Sequence, residues 1–127
     1  MTAFEPQHAI AWFNEEWGQP AELALPLSDR GLQLADGLFE TILIHHNRPC
    51  LFDAHLRRWE RSCELLGMAP PPKRAWLEPL IQKAIHRLGL AQGEGALRLN
   101  WSRGDGNQRG IGLDHNAADP SRHRFWM

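Results

Sequence analysis

The sequence predicts an α+β domain in which an antiparallel sheet carries two helices packed on one face. Three observations lead there. Residues 38–45 are rich in aromatic and β-branched side chains, and residues 96–101 alternate apolar with polar, both patterns of strands. Residues 54–66 and 75–88 instead repeat apolar side chains at helical spacing. Clusters of Gly, Pro, Asn and Asp separate these runs, and 127 residues suit one domain with one core.

In order, residues 8–13 form a short apolar strand candidate ended by Asn14, Glu15 and Glu16, and residues 17–20 read as a turn. Residues 22–27 alternate, but Pro26 excludes a central strand position, so they read as a connector. Residues 28–37 form a turn cluster holding the pairs Arg30-Gly31 and Asp36-Gly37, and feed the strand at 38–45. The reversal at His46, Asn47 and Arg48 predicts a hairpin returning over 49–52. Asp53 reads as the N-cap of the first helix, Leu56, Trp59, Cys63 and Leu66 as its apolar stripe, and Gly67 as its stop. Pro70, Pro71 and Pro72 make a stiff spacer. The second helix places Leu77, Leu80, Ile81, Ala84 and Leu88 on the core side, and Pro79 requires it to start late enough that the proline falls in the first turn. Residues 102–112 read as a glycine-rich loop.

The totals narrow the function. Fourteen basic residues against fifteen acidic ones argue against nucleic-acid binding. No apolar run reaches the length of a membrane span, and no basic segment followed by an apolar one opens the chain, so a cytoplasmic protein without a membrane role is expected. Cys50 and Cys63 read as two reduced, buried thiols. Six Trp and no Tyr, spread along the chain, indicate a distributed core rather than one stacking platform.

Seven histidines invite a metal site, but His45 and His46, adjacent on a strand, should point to opposite faces, and no Cys/His cluster accompanies the others. The loop from Arg103 to Gly110 carries several glycines that allow backbone N–H groups to approach an anion, and its arginines suit a carboxylate. It lacks the phosphate-loop pattern. His55 and Arg58 share one helix flank and could bind a phosphate, whereas spacing alone favours a solvated surface with Arg57 and Arg61.

Four motifs in register add to this: Asp29, Arg30, Gly31; Asp36, Gly37, Leu38, Phe39, Glu40, Thr41; His55, Leu56, Arg57, Arg58; and Ser102, Arg103, Gly104. Together they resemble the small N-terminal domain of the class IV aminotransferases, the fold-type IV pyridoxal 5'-phosphate (PLP) enzymes that include branched-chain aminotransferase, D-amino-acid transaminase and aminodeoxychorismate lyase. The resemblance implies PLP as cofactor, a homodimer, and roles for particular residues. Arg58 matches the arginine that binds the cofactor phosphate. Phe39 and Thr41 match positions facing cofactor and substrate, and Arg109 a basic loop position that meets the substrate carboxylate in some members. Residues 106–110 are most similar to the lyase branch.

Three departures stand out. Ala35 occupies a position where the family often has Gly, and Trp59 replaces the usual Leu after the phosphate arginine. The family's cofactor-binding lysine belongs to a following large domain, and the only lysines here, Lys73 and Lys83, lie in no matching context. The expectation is therefore a small domain over residues 1–118, with residues 119–127 an interdomain linker and the start of a strand leading to an absent large domain. The intact enzyme would eliminate pyruvate from aminodeoxychorismate to give 4-aminobenzoate, and this chain alone would be inactive with no catalytic residue of its own. The alternatives are a branched-chain or D-amino-acid transaminase, or a stand-alone binding or dimerisation module.

Overall fold

A computed structural model describes residues 9–90, 93–106 and 112–127. Six strands form one sheet: β1 (Ala11–Phe13), β2 (Glu16–Gly18), β3 (Gly37–His45), β4 (Arg48–Pro49), β5 (Glu94–Ser102) and β6 (Arg124–Trp126). Their spatial order is β2-β1-β6-β5-β3-β4, and every pairing is antiparallel. The helices are α1 (Arg30–Leu34), α2 (Phe52–Leu66) and α3 (Arg74–Arg87). The predicted α+β class and antiparallel sheet are what the structure has. No helix among the described residues is long and apolar enough to cross a membrane.

The backbone of the fold is the nine-residue ladder between β3 and β5, from Gly37 opposite Ser102 to His45 opposite Glu94. Side chains alternate along β3, so Ile42 and Ile44 enter the core while Thr41, Leu43 and His45 stay exposed. Leu97, Leu99 and Trp101 extend the buried face on β5. Against them pack Phe52, Leu56, Trp59 and Cys63 of α2, and Leu77, Ile81, Ala84 and Ile85 of α3. β6 lies between β1 and β5, with Phe125 buried and ringed by Trp12, Trp59 and Trp76. Residues 124–126, expected at the start of an outgoing strand, thus sit inside the sheet, and Met127 exchanges two backbone bonds with Trp12.

Several local expectations change. Asn14 and Glu15, read as the end of a strand, are the two-residue turn of the β1–β2 hairpin, both at positive φ, and Trp17 returns opposite Trp12. The strand expected over 49–52 stops at Pro49, because Leu51 takes a left-handed conformation and Phe52 is already the first core residue of α2. Leu51, not Asp53, is therefore the N-cap, while Asp53 sits in the first turn and pairs with Arg74. Gly67 does end α2, at φ 64°. Pro79 lies inside α3 rather than in its first turn, leaving the Ala75 carbonyl without its helical donor. Ile85 takes the core place expected of Leu88, which is only half-buried. His46 leaves the strand at φ 44°, so its ring stacks on His45 at 4.1 Å instead of facing the other way. Cys63 is buried, and burial pushes its thiol up to about 11.

Candidate functional site

The stretch before β3 folds on itself. Asp29 is the N-cap of α1: its carboxylate accepts from the Leu32 N–H at 3.0 Å, the Ser102 hydroxyl at 2.6 Å and Arg124 at 2.9 Å. Asp36 accepts from Arg30 Nε at 2.7 Å and Arg103 Nε at 2.8 Å. Burial pushes the Asp36 carboxyl up, but the two guanidiniums outweigh it and hold the group below the usual carboxylate range. Arg103 continues to the Leu66 and Gly67 carbonyls at 2.6 and 3.0 Å, closing the C-terminal end of α2 where helix carbonyls lack partners. Close approach requires the glycines here: a Cβ on Gly31 would meet Ser102 at 2.6 Å, and one on Gly104, at φ 84°, would collide with the Arg122 carbonyl. Ala35 holds φ 55°, the left-handed conformation in which glycine is less strained.

Arg103 is 4% exposed and fully engaged, so it is a structural tie rather than the anion-binding loop residue its position suggested. Arg109, the other arginine of that loop, lies outside the described residues.

β3 separates two groups of functional side chains. On its open face, Phe39 is 57% exposed and Thr41 is exposed. The register brings Asn100 opposite Phe39 and Arg98 opposite Thr41. Arg98 lies over the Phe39 ring at 3.9 Å and donates to Asn100 Oδ1 at 3.0 Å. A shallow cavity of about 210 Å³ opens here, bounded by Gly31, Phe39, Arg98, Asn100 and Trp126.

On the opposite face Glu40 is 4% exposed. Its Oε1 accepts from Arg58 Nε at 2.8 Å, and its Oε2 from Arg58 Nη2 at 2.5 Å and His55 Nδ1 at 2.8 Å. Burial pushes the Glu40 carboxyl up, but bonds from Arg58 and His55 outweigh it and the net shift is down. The hydrogen bond to Glu40 raises Arg58 in turn. The Arg58 side chain is 65% exposed, and its Nη1 group has no partner among the described residues.

Arg58 therefore approaches β3 from the helix side, while Phe39 and Thr41 project from the other. β4 pairs with β3 only at Ile44 and His45, so among the described residues the stretch Gly37 to Ile42 has no strand on its second edge. Glu40 and Arg98 were not singled out from the sequence. A carboxylate in step with Leu38, Ile42 and Ile44 was the available sign, since a charge on the core-facing side of a strand must be paired. Arg98 stood in the wet half of an alternating strand, a position that only the register joins to Phe39 and Thr41.

The donor set fits the phosphate end of PLP. Among the described residues, two Nη1 protons and one Nη2 proton of Arg58 remain for anion oxygens, and the β3 stretch it bonds has no strand on its second edge. The lysine that would hold the cofactor covalently is not supplied from β3 or the open face: Lys73 is the exposed N-cap of α3 and Lys83 is exposed along that helix.

Comparison with known proteins identifies the family. A curated bifunctional aminodeoxychorismate lyase / D-amino acid transaminase of Mycobacterium tuberculosis is 35% identical over 86 residues, which cover 68% of this chain and 30% of that protein. The PLP-bound form of a hypothetical aminotransferase from Mycobacterium tuberculosis superposes with TM-score 0.69 at 29% identity, over 93% of this chain and 38% of that one. The 4-amino-4-deoxychorismate lyase of Pseudomonas aeruginosa gives 0.63 at 31% identity, over 91% and 37%. The chain thus spans about a third of the length of these relatives. A family model matches from Gly37 through Phe125, a span that contains β3, the Glu40–Arg58 pair and β5, and the chain belongs to the amino-transferase class IV family.

Proposed function

We propose that this chain forms the phosphate-anchoring and substrate-facing wall of a PLP-dependent enzyme that eliminates pyruvate from aminodeoxychorismate to give 4-aminobenzoate for folate synthesis. The observation that carries the reading is the Arg58 guanidinium, gripped on one edge by buried Glu40 and open on the other. PLP, when bound, supplies an electron sink for bond cleavage at the amino-bearing carbon of the substrate. The chain's own residues bind and orient. Arg58 holds the phosphate oxygens, Thr41 and Phe39 border the cleft from the open face, and Arg98 offers a fork suited to a substrate carboxylate. Arg109 is a second candidate for that carboxylate, and homodimeric assembly belongs to the same proposal; both rest on the family resemblance alone.

The elimination reading is supported by the two lyase relatives above and by the likeness of residues 106–110 to the lyase branch. Transfer of an amino group from a D-amino acid is the second reading, favoured by the other activity in the name of the Mycobacterium tuberculosis relative. Without a lysine on the open face or on β3, the 127-residue chain should not turn over either substrate by itself.

The test has two parts. The enzyme encoded by the full reading frame is assayed for 4-aminobenzoate release and for amino transfer to 2-oxoglutarate; transfer without release overturns the lyase reading. In the same enzyme, Arg58→Ala should weaken PLP binding about tenfold or more, while Arg57→Ala changes it less than about twofold. Equal effects would overturn the anchor assignment.

A further inference from the structure

Glu40 is unusual for its place. It lies on the core-facing side of β3, next in step to Ile42, and the chain keeps it charged there. An apolar residue of similar size is commonly the more stable choice at such a position, so a retained buried carboxylate needs a reason. Its bonds supply one. Both oxygens are committed, Oε1 to Arg58 Nε and Oε2 to Arg58 Nη2, with His55 Nδ1 also on Oε2.

This pairing fixes more than a charge. A carboxylate that accepts from both Nε and Nη2 sets the plane of the guanidinium, because the two parallel bonds cannot both persist if it rotates. The side chain is otherwise largely in solvent, 65% exposed, where a long flexible arginine would sample many rotamers. The edge bound to Glu40 is the inner one. The fork between Nη1 and Nη2 is left facing outward, the geometry that matches two oxygens of one phosphate. His55, 18% exposed and on the same helix flank, holds Oε2 from the other side and keeps the carboxylate from swinging with the arginine.

We infer that Glu40 is a positioning residue for phosphate recognition: it orients Arg58, with His55 as its brace, so that the outer fork of the guanidinium is presented to the phosphate of the cofactor. This rests on Arg58 being the phosphate anchor. Glu40 itself touches no ligand. Its contribution is to discrimination for the phosphorylated ligand over the same ring without phosphate.

The experiment compares pyridoxamine 5'-phosphate with pyridoxamine, neither of which carries an aldehyde that could react with Lys73 or Lys83. Affinities of the 127-residue chain for each are read from quenching of its tryptophan fluorescence, and their ratio measures phosphate discrimination. Wild type should favour the phosphorylated ligand, and Arg58→Ala should bring the ratio close to one. Glu40→Gln should lower the ratio by about tenfold (~1.4 kcal/mol) with little change in pyridoxamine affinity. Glu40→Met, which suits the core side of the strand and guards against a folding defect in the Gln variant, should lower it at least as much. A purely structural role would shift the unfolding midpoint and weaken both ligands together, leaving the ratio unchanged. If Arg58→Ala loses discrimination while both Glu40 variants keep it, the inference is overturned and the anchor stands. If wild type shows no discrimination, or Arg58→Ala retains it, the anchor reading itself fails, and the inference with it.

Discussion

Replacing Asp36 with Asn tests whether the network that ties the first and last motifs together is architecture. Asp36 Oδ2 is shared by Arg30 and Arg103, whose side chains are 9% and 5% exposed. Asn keeps the size and one acceptor but removes the charge that two buried guanidiniums face. Hydrogen bonds to charged groups contribute roughly 1.5–3 kcal/mol each, and removing one member of a buried pair costs about 3–5 kcal/mol. With one acceptor retained, a loss of about 3 kcal/mol is expected. For a urea slope of about 1.5 kcal/mol/M, the midpoint should fall by roughly 2 M. Tryptophan emission follows the transition, since Trp101 is buried and bonds the Ala69 carbonyl. The exposed pair of Asp53 with Arg74 is the control: Asp53→Asn should change stability by less than about 1 kcal/mol. The sign with pH follows from the lowered Asp36 value: its contribution is complete above about pH 4 and is lost as pH falls through the folded-state value. A loss below about 1 kcal/mol for Asp36→Asn, or one no larger than that of Asp53→Asn, would refute the reasoning.

Trp59 is 1% exposed and its indole N–H has no acceptor among the described residues. Trp59→Phe should therefore lose at most about 1 kcal/mol, since relief of the orphaned donor offsets the smaller ring. Trp101→Phe, which breaks a 3.1 Å bond to the Ala69 carbonyl, should lose at least about 2 kcal/mol by the same denaturation assay; similar losses would contradict the orphan assignment. His123 uses both ring nitrogens, Nε2 accepting from the Ala69 N–H at 3.0 Å and Nδ1 donating to the Arg103 carbonyl at 3.0 Å. Burial, with Arg103 nearby, holds it below the ordinary value of about 6.5. A depressed histidine is stabilising while neutral, so stability should be full above about pH 6.5 and decline as pH falls from there through the folded-state value. Urea midpoints at stepped pH should show that decline in wild type and a flatter profile in His123→Gln; parallel profiles would assign the decline elsewhere.

The long elements were legible because one physical signal dominates each. β3, β5 and α2 bury one face against the core, so their apolar periodicity survives in the sequence. What was not legible depends on partners distant in the chain. α1 is five residues long and owes its start to Asp29, whose carboxylate is held by Ser102 and Arg124 far along the sequence. β2 and β6 have three residues each, too few for a period, and are strands because β1 and β5 pair with them. Pro79 sits in mid-helix against its own preference because Leu77, Ile81 and Ala84 around it are buried. In the site, the identities of Arg58, Phe39 and Thr41 came from motif resemblance. Their division between the two faces of β3 follows from the strand's two-residue period, which spacing would have shown had Glu40 been counted with Ile42 and Ile44.

Pairing, rather than residue type, separates the chemical members of these motifs from the structural ones. Asp29, Arg30, Ser102 and Arg103, the polar residues of the first and last motifs, and Asp36, which opens the second, are each buried or nearly so and bonded within the network. Phe39, Thr41, Arg58 and Arg98 keep exposed surface, and the guanidinium of Arg58 keeps unused donors. The two sets are mechanically joined. Arg103 closes the end of α2 at Leu66 and Gly67, and Asp36 fixes Arg103 directly before β3 begins. The helix bearing Arg58 is thus tied at its far end to the turn that aims Phe39 and Thr41, while Glu40 ties it at the near end to the strand itself. Two attachments hold a helix in orientation where one would leave it free to pivot. It follows that Asp36→Asn, even in molecules that remain folded, should reduce phosphate discrimination less than Glu40→Gln does, because it loosens the distant attachment and spares the one at the guanidinium.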